Sequence, residues 1–262
     1  MKEQTLPDYM VAGEGDTTIY LLHGAYGSKE YWRYTVREFT RAGYRVIAWD
    51  APGYGISPIP ENMTIPSLAL AFNRLVAATR SRRTVVLGHS MGGFVAQKAF
   101  DLAPTSMDLL ILSATAHTFN HSGPEWQANF LQTRVAPLAS GRSIREYAPE
   151  MLRTMMGPGA GGPIIDHILY NVQLMDAAGF QAAVKALAQY LEDDVIARVK
   201  IPTFCIAGEL DLTCPSNVMR KMAGLCDGEF HEMKGVGHYG WGERPDEYHG
   251  KVLDFIKRRL PA

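Results

Sequence analysis

Short apolar runs alternate with amphipathic stretches along most of the chain. The apolar runs are almost continuous and end near Gly, Asp or Ser, which is typical of strands buried on both faces of a parallel sheet. The stretches between them carry apolar residues at helical spacing, as at Trp32, Val36 and Phe39. Strands that alternate with helices predict an α/β fold, with a mostly parallel central sheet flanked by helices. The predicted strands are 17–24, 44–50, 83–90, 108–114 and 203–211.

Two parts of the chain depart from this rhythm. Residues 6–11 are followed by the turn-like GEGD at 13–16, which predicts a hairpin with an antiparallel edge strand. Between about 117 and 190 every segment has a helical pattern. We interpret this part as an inserted helical cap, because insertions at the carboxyl edge of such sheets commonly cover binding sites; a helical linker without a function is the alternative. The predicted domains are a core of residues 1–116 and 191–262 and a cap of residues 117–190.

Composition and charge narrow the classes of function. The 262 residues are 47% hydrophobic and 20% charged, which is ordinary for a globular protein. A net charge of −1 provides no basic field, so we expect no nucleic-acid partner. No run reaches the roughly 20 apolar residues of a membrane helix, and the first ten residues contain no apolar signal core. We therefore expect a cytoplasmic protein without a membrane partner, and leave open whether it forms a homo-oligomer.

Neither a metal nor a cofactor is expected. The three cysteines have no zinc-binding spacing, and none of the eight histidines lies in an H-E-x-x-H motif. Gly157, Gly159 and Gly162 match the dinucleotide pattern G-x-G-x-x-G. Here a helical segment precedes the glycines, and Pro163 follows where a phosphate-binding helix needs free N–H groups.

Ser90 lies at the junction between an apolar strand pattern and a helical pattern. Gly88 and Gly92 stand two residues before and after it. A serine at such a junction turns sharply, and larger side chains at the flanking positions would clash. The turn lifts the hydroxyl clear of the sheet and places the next backbone N–H at a helix N-terminus. The pattern predicts a nucleophile elbow; a structural serine in a tight turn is the alternative.

The chain resembles the α/β-hydrolase superfamily in four segments, and the likeness covers nearly the whole chain outside the cap. The four segments are similar to the family's oxyanion loop, D-x-x-G-x-G-x-S turn, nucleophile elbow and catalytic-histidine loop, in that order. In this chain they read HGAYG at 23–27, DAPGYGIS at 50–57, GHSMGG at 88–93, and GVGH at 235–238 with Glu243, Pro245 and Tyr248. The resemblance implies an α/β-hydrolase fold with an inserted helical cap.

A serine nucleophile needs a base, and the base needs an orienting carboxylate. In this family the chain order is Ser, acid, His. Ser90 comes first, and His238, in a late Gly-His turn, is the expected base. Asp211 is the expected acid, because the family pattern G-x-x-D falls on it, and Glu209 is the runner-up. The weaker candidates for the base are His231 in the strand-like EFHEM, His249 on the last helix, and His23 and His89 in loops.

The resemblance also implies an oxyanion hole and a substrate pocket. The backbone N–H groups of Ala25 and Met91 would form the oxyanion hole. Four arginines of the cap could hold a substrate carboxylate or could simply be solvated: Arg134, Arg142, Arg145 and Arg153. Packing within the cap is the alternative role for its pocket candidates. The candidate pocket residues are His23, Tyr26, His89, Trp126, Phe130, Met151, Met155, Tyr239 and Trp241.

The likeness to carboxylesterases and 3-oxoadipate enol-lactone hydrolases implies an enzyme without a cofactor. Its substrate would be a small or medium ester or lactone, cleaved through an acyl-serine intermediate. A carbon–carbon hydrolase of meta-cleavage products is one alternative, although those relatives usually carry Asn where His89 stands and Trp where Tyr239 stands. A cofactor-free haloperoxidase or perhydrolase and a non-enzymatic ligand sensor are the others. A haloalkane dehalogenase would need Asp in place of Ser90.

Overall fold

The computed structural model describes residues 5–121 and 123–260 and is built around a seven-stranded sheet. The strand order is β1-β3-β2-β4-β5-β6-β7, in which only β1 runs antiparallel to its neighbour. This confirms the predicted, mostly parallel sheet. The strands are β1 Tyr9–Ala12, β2 Thr17–Leu22, β3 Arg45–Trp49, β4 Arg83–His89, β5 Leu109–Ser113, β6 Thr203–Gly208 and β7 Glu229–Met233.

The predicted N-terminal hairpin is wrong, although the antiparallel edge strand is present. Strand β1 pairs with β3 rather than with β2, the next strand along the chain. The connection crosses the end of β3, and a Cβ on Gly13 would lie 2.6 Å from the carbonyl oxygen of Tyr44. A hydrophobic pattern identifies a strand but does not select its neighbour, and β3 already occupies the place beside β2.

Helices cover the sheet and also form a separate group between β5 and β6. The flanking helices bury apolar stripes; α1, for example, buries Val36 and Phe39. Helix α2 begins with a capping box at Thr64 and a proline in its first turn, two signals that favour helix initiation. The helices are α1 Arg33–Arg41, α2 Ile65–Thr79, α3 Met91–Leu102, α4 Pro124–Ala139, α5 Ile144–Thr154, α6 Pro163–Val172, α7 Ala177–Ala188, α8 Ser216–Leu225, α9 Gly240–Glu243 and α10 Pro245–Arg259.

Helices α4–α7, here called the helical insertion, pack against the loops at the carboxyl ends of the strands. The Cα of Gly179 in α7 approaches the turn after β3 so closely that a Cβ would lie 1.9 Å from the oxygen of Gly53. The backbone N–H of His238 donates to the oxygen of Met155, at the end of α5, over 2.8 Å. These contacts hold the insertion against two loops of the core; the exact domain boundaries stay a prediction.

The chain order of the strands creates a crevice in the middle of the sheet. After β2 the chain goes outward to β3 and then returns across β2 to β4. Connections therefore leave the carboxyl ends of β2 and β4 in opposite directions, which is where ligands bind in open α/β sheets. The loops that carry residues 23–27 and Ser90 follow these two strands. Within residues 5–121 and 123–260, no helix is both long and apolar enough to cross a bilayer.

Candidate active site

Ser90 occupies a strained turn between β4 and α3. Its φ of 52° and ψ of −119° lie in a region that side-chain-bearing residues rarely adopt. A Cβ on Gly88 would lie 2.4 Å from the oxygen of Gly92, and one on Gly92 would lie 2.3 Å from that of Leu22. Thr115 Oγ1 donates to the Ser90 carbonyl over 2.8 Å. The local sequence therefore dictates a tight elbow that only glycines can flank.

His238 and Asp211 form a buried pair beside this elbow. His238 Nδ1 lies 2.6 Å from Asp211 Oδ2, and neither side chain is more than 1% exposed. The other carboxylate oxygen accepts the N–H groups of Thr213, at 2.8 Å, and Cys214, at 3.0 Å. These donors fix the carboxylate, so its free oxygen can orient the imidazole with its Nε2 available for proton transfer.

Glu243 holds the loop that carries His238. Its Oε2 accepts the N–H groups of Gly157, at 2.7 Å, and Gly237, at 2.9 Å. Its Oε1 accepts the N–H of Tyr239 at 3.0 Å. One carboxylate thus binds the backbone on both sides of His238 and ties this loop to the helical insertion. Glu243 is a positioning residue, since its contacts reach His238 only through the backbone.

Three buried side chains fix the loop after β2. His23 Nδ1 donates to the oxygen of Gly24 over 2.8 Å, while its Nε2 accepts the N–H of Ala51 at 3.0 Å. Burial lowers the pKa of His23, so the ring is neutral and can play both roles. Tyr31 Oη accepts the N–H of Gly24 at 2.8 Å, and Tyr54 Oη donates to the oxygen of Ala25 over 2.9 Å. The loop is therefore held in place before any ligand arrives.

A narrow cavity of about 20 Å³ joins these parts. Ser90 and His238 line it together with Ala25, so the elbow, the imidazole and the loop after β2 face one space. Met91 is the first residue of α3, and its N–H therefore has no partner within the helix. The helical insertion supplies Phe130, Arg134, Met155 and Leu187 to the wall. A hydroxyl, an imidazole–carboxylate pair and free N–H donors are the components of acyl-transfer chemistry.

The alpha/beta hydrolase family model matches residues 19–250. The chain belongs to this family. Its α/β-hydrolase fold and the membership implied by the four sequence segments are thereby confirmed.

Individual relatives differ in the activities they are named for. A 2-hydroxy-6-oxononadienedioate/2-hydroxy-6-oxononatrienedioate hydrolase from a Pseudomonas species is 25% identical and aligns over 94% of this chain and 90% of its own length. A bromoperoxidase from Bacillus anthracis has a TM-score of 0.84 at 20% identity, over 95% of this chain and 94% of that one. The enol-lactonase of Burkholderia xenovorans LB400 has a TM-score of 0.81 at 19% identity, over 95% of both chains. At these identities the structural likeness supports the fold of this hydrolase.

Most of the sequence-predicted pocket residues line the cavity or one of two spaces that share lining residues with it. Tyr26, His89, Phe130, Met155 and Tyr239 line the cavity that contains Ser90. Trp126 lines an adjoining apolar chamber that also borders Ser90 and Met91. Trp126 and Met151 line an outer groove that shares Phe130 and Met155 with the cavity.

The remaining two pocket candidates are not among the residues that line these spaces. His23 is 0% exposed and its ring nitrogens bind the backbone, as described above. Trp241 is also 0% exposed, and its ring lies 4.4 Å from those of Trp32 and His89. Trp241 therefore packs behind His89 rather than beside a substrate. Tyr239 and Trp241 were both predicted to line the pocket because they are close to His238 in sequence. That proximity does not indicate the direction in which each side chain points, and only Tyr239 faces the cavity.

His89 lines the cavity with a fully buried imidazole ring. The ring is 0% exposed, and neither of its nitrogens has a hydrogen-bond partner of good geometry among the described residues. Its ring centroid lies 4.7 Å from that of His238. Burial, followed by the proximity of His238, holds the pKa of His89 well below its usual value. The imidazole of His89 is therefore neutral.

Three lining residues were not anticipated from the sequence. Thr213 and Leu187 line the cavity together with Tyr31. Thr213 stands two residues after Asp211, so its position beside the expected acid was the available signal. Leu187 lies on the buried face of α7, where its spacing resembles that of any core leucine.

Only one group in the described ranges, 5–121 and 123–260, has the residues and spacing to hold a metal ion. The ligand atoms of Asp211, Cys214 and His238 lie within 4.8 Å of one another. Asp211 and His238 are already joined by the 2.6 Å hydrogen bond, so metal binding and imidazole orientation would compete for the same two side chains. The arrangement therefore fits the acid–base pair better than a resident metal.

Proposed function

We propose that this chain is a serine hydrolase that cleaves a small or medium carboxylic ester or lactone. The observation that carries the proposal is the buried Asp211–His238 pair, which opens onto the same cavity as Ser90. Ser90 is the nucleophile, His238 the general base and acid, and Asp211 the residue that orients His238. The order of these residues along the chain is the one expected for this fold.

The reaction proceeds through an acyl-serine. Ser90 Oγ attacks the carbonyl carbon while His238 Nε2 takes its proton. The carbonyl oxygen becomes an oxyanion, which the N–H groups of Ala25 and Met91 stabilise. When the intermediate collapses, the C–O bond breaks and His238 gives its proton to the departing alkoxide. Water then attacks the acyl-serine, His238 takes its proton and returns it to Ser90 Oγ, and the carboxylic acid leaves.

We further propose that the helical insertion acts as a lid. Phe130 and Met155 of the insertion contribute to the cavity wall, and Trp126 lines the adjoining chamber and the outer groove. Side chains in these positions would bind the apolar parts of a substrate and exclude water.

Ester hydrolysis by the wild type and by Ser90→Ala tests the catalytic assignment: we expect a fall of several orders of magnitude in a variant that remains folded.

Carbon–carbon cleavage of a ring-cleavage dienoate is the second candidate. It is favoured by the Pseudomonas relative named for 2-hydroxy-6-oxononadienedioate hydrolysis. Such a reaction needs polar groups that hold a dienolate, whereas His89 offers a neutral ring and the loop after β2 reads Ala25-Tyr26 rather than a run of glycines. We therefore expect kcat/KM for a dienoate to be at least about tenfold below that for a p-nitrophenyl ester, a gap of about 1.4 kcal/mol. A dienoate that is the better substrate would overturn the ester proposal.

A further inference from the structure

Helix α4 turns an arginine toward the cavity. Phe130 and Arg134 are one helical turn apart and are the two buried side chains of this 16-residue helix. Arg134 is only 8% exposed and lines both the cavity that contains Ser90 and the outer groove. Arginine is seldom buried without a partner, because removing its charge from water is costly. Its position therefore needs an explanation beyond packing.

Within the part of the chain that the structure describes, no carboxylate compensates this charge. Among residues 5–121 and 123–260, no carboxylate oxygen lies within 4.0 Å of the Arg134 guanidinium, which instead lies 3.8 Å from the Phe130 ring centroid and donates to Thr133 Oγ1 over 3.1 Å. Asp211, the acid beside His238, is held by His238 and two backbone N–H groups. By contrast, the exposed Arg142 of the same insertion pairs with Glu150 at 2.8 Å. Arg134 is thus a preformed cation with free donor capacity.

We propose that Arg134 binds a carboxylate of the substrate, so that the preferred ester or lactone carries an anionic group. This inference rests on the proposed ester hydrolysis and specifies its substrate class. A guanidinium presents a planar pair of donors that matches a carboxylate, and the surrounding low-polarity wall strengthens the pairing. The Phe130 ring beneath it holds the guanidinium plane in place.

The apolar chamber and the outer groove would orient a bound substrate, because their linings differ. The adjoining chamber, which also borders Ser90, is apolar and is lined by Phe94, Phe119 and Trp126. Arg134 lies instead where the cavity adjoins the outer groove. A substrate that fits both would place an apolar portion in the chamber and a carboxylate beside Arg134, with the scissile carbonyl at Ser90.

The test compares matched neutral and anionic esters. One pair is p-nitrophenyl valerate and p-nitrophenyl hemiglutarate, with the carboxylate on the acyl part. The other is phenyl acetate and 4-acetoxybenzoate, with the carboxylate on the leaving group. We expect Arg134→Met to lower the anionic-to-neutral ratio of kcat/KM about 10- to 100-fold in at least one pair, mainly through KM, since a charge-assisted hydrogen bond is lost. Arg134→Lys, which keeps the charge but not the planar fork, should restore part of the ratio.

Arg153→Met is the matched control, because Arg153 is an exposed arginine of the same insertion that contacts the oxygen of Ala160. It should leave both ratios within about twofold, as expected for a surface substitution. Equal ratios in the wild type and Arg134→Met for both ester pairs would overturn the anion site while leaving ester hydrolysis standing. If no ester is turned over, the proposed function fails. Calorimetric titration with glutarate then still decides the anion site: binding that Arg134→Met abolishes supports it, and equal or absent binding overturns it.

Discussion

Replacing Asp211 with asparagine perturbs the proposed proton relay with almost no change in volume. Asp211 Oδ1 accepts two backbone N–H groups, from Thr213 and Cys214, and Oδ2 faces His238 Nδ1 at 2.6 Å. The two backbone donors would hold the amide oxygen of an asparagine in the same place. Its NH₂ group would then face Nδ1 and favour the imidazole tautomer that carries its proton on Nε2. That nitrogen could no longer accept the proton of Ser90.

The expected loss in kcat is about 10⁴-fold, which corresponds to about 5 kcal/mol of transition-state stabilisation. The assay is steady-state hydrolysis of p-nitrophenyl butyrate, with circular dichroism and thermal unfolding to establish that the variant is folded. Glu209→Gln is the control, since Glu209 contacts Lys234 and the N–H of Gly235 instead of His238. It should change kcat less than about threefold. A larger loss of kcat in Glu209→Gln than in Asp211→Asn would contradict the role given to Asp211. So would an Asp211→Asn variant that keeps more than about a tenth of wild-type activity.

Two further predictions concern stability. Gly88→Ala would place a Cβ 2.4 Å from the oxygen of Gly92, so urea unfolding should show a free energy of unfolding at least about 2 kcal/mol lower than that of the wild type. Gly224→Ala is the control and should lose no stability, because no atom lies within 4 Å of its added Cβ. Equal stabilities of the two variants would contradict the tight elbow. Burial lowers the pKa of His249 to about 4. Between that value and about 6.5 the unfolded state binds more protons than the native state, so stability falls on acidification. From pH 7 to pH 5 the wild type should lose about 2 kcal/mol more than His249→Gln; parallel pH profiles would contradict this.

The sequence predicted the sheet and the elbow because both depend on local patterns. Buried parallel strands require apolar residues on both faces, and the turn at Ser90 requires glycines at two fixed positions. Which strands become neighbours is a tertiary property, and the pairing of β1 with β3 left no trace in the alternation of residues 6–16. For the same reason the hairpin prediction was wrong while the edge strand was right.

The catalytic candidates were predictable from motifs, whereas the roles of their surroundings were not. Asp211 and His238 stand at characteristic positions in their loops, and the structure joins them by a hydrogen bond. Glu243 was noted only as part of a motif, since its binding of three backbone N–H groups depends on how the loop folds back. Arg134 was one of four arginines in the helical insertion. Burial alone distinguishes it from the others, and periodicity in α4 could not reveal that a charged side chain faces the cavity.

The nucleophile can be identified directly as the residue that forms a covalent adduct. The protein would be treated with a fluorophosphonate, digested, and analysed by peptide mass spectrometry, with Ser90→Ala treated in parallel. We expect one modified site, at Ser90, in the wild type and no adduct in the variant. An adduct on another residue, an adduct that persists in Ser90→Ala, or a wild-type protein that remains unmodified would contradict the assignment of Ser90 as the nucleophile.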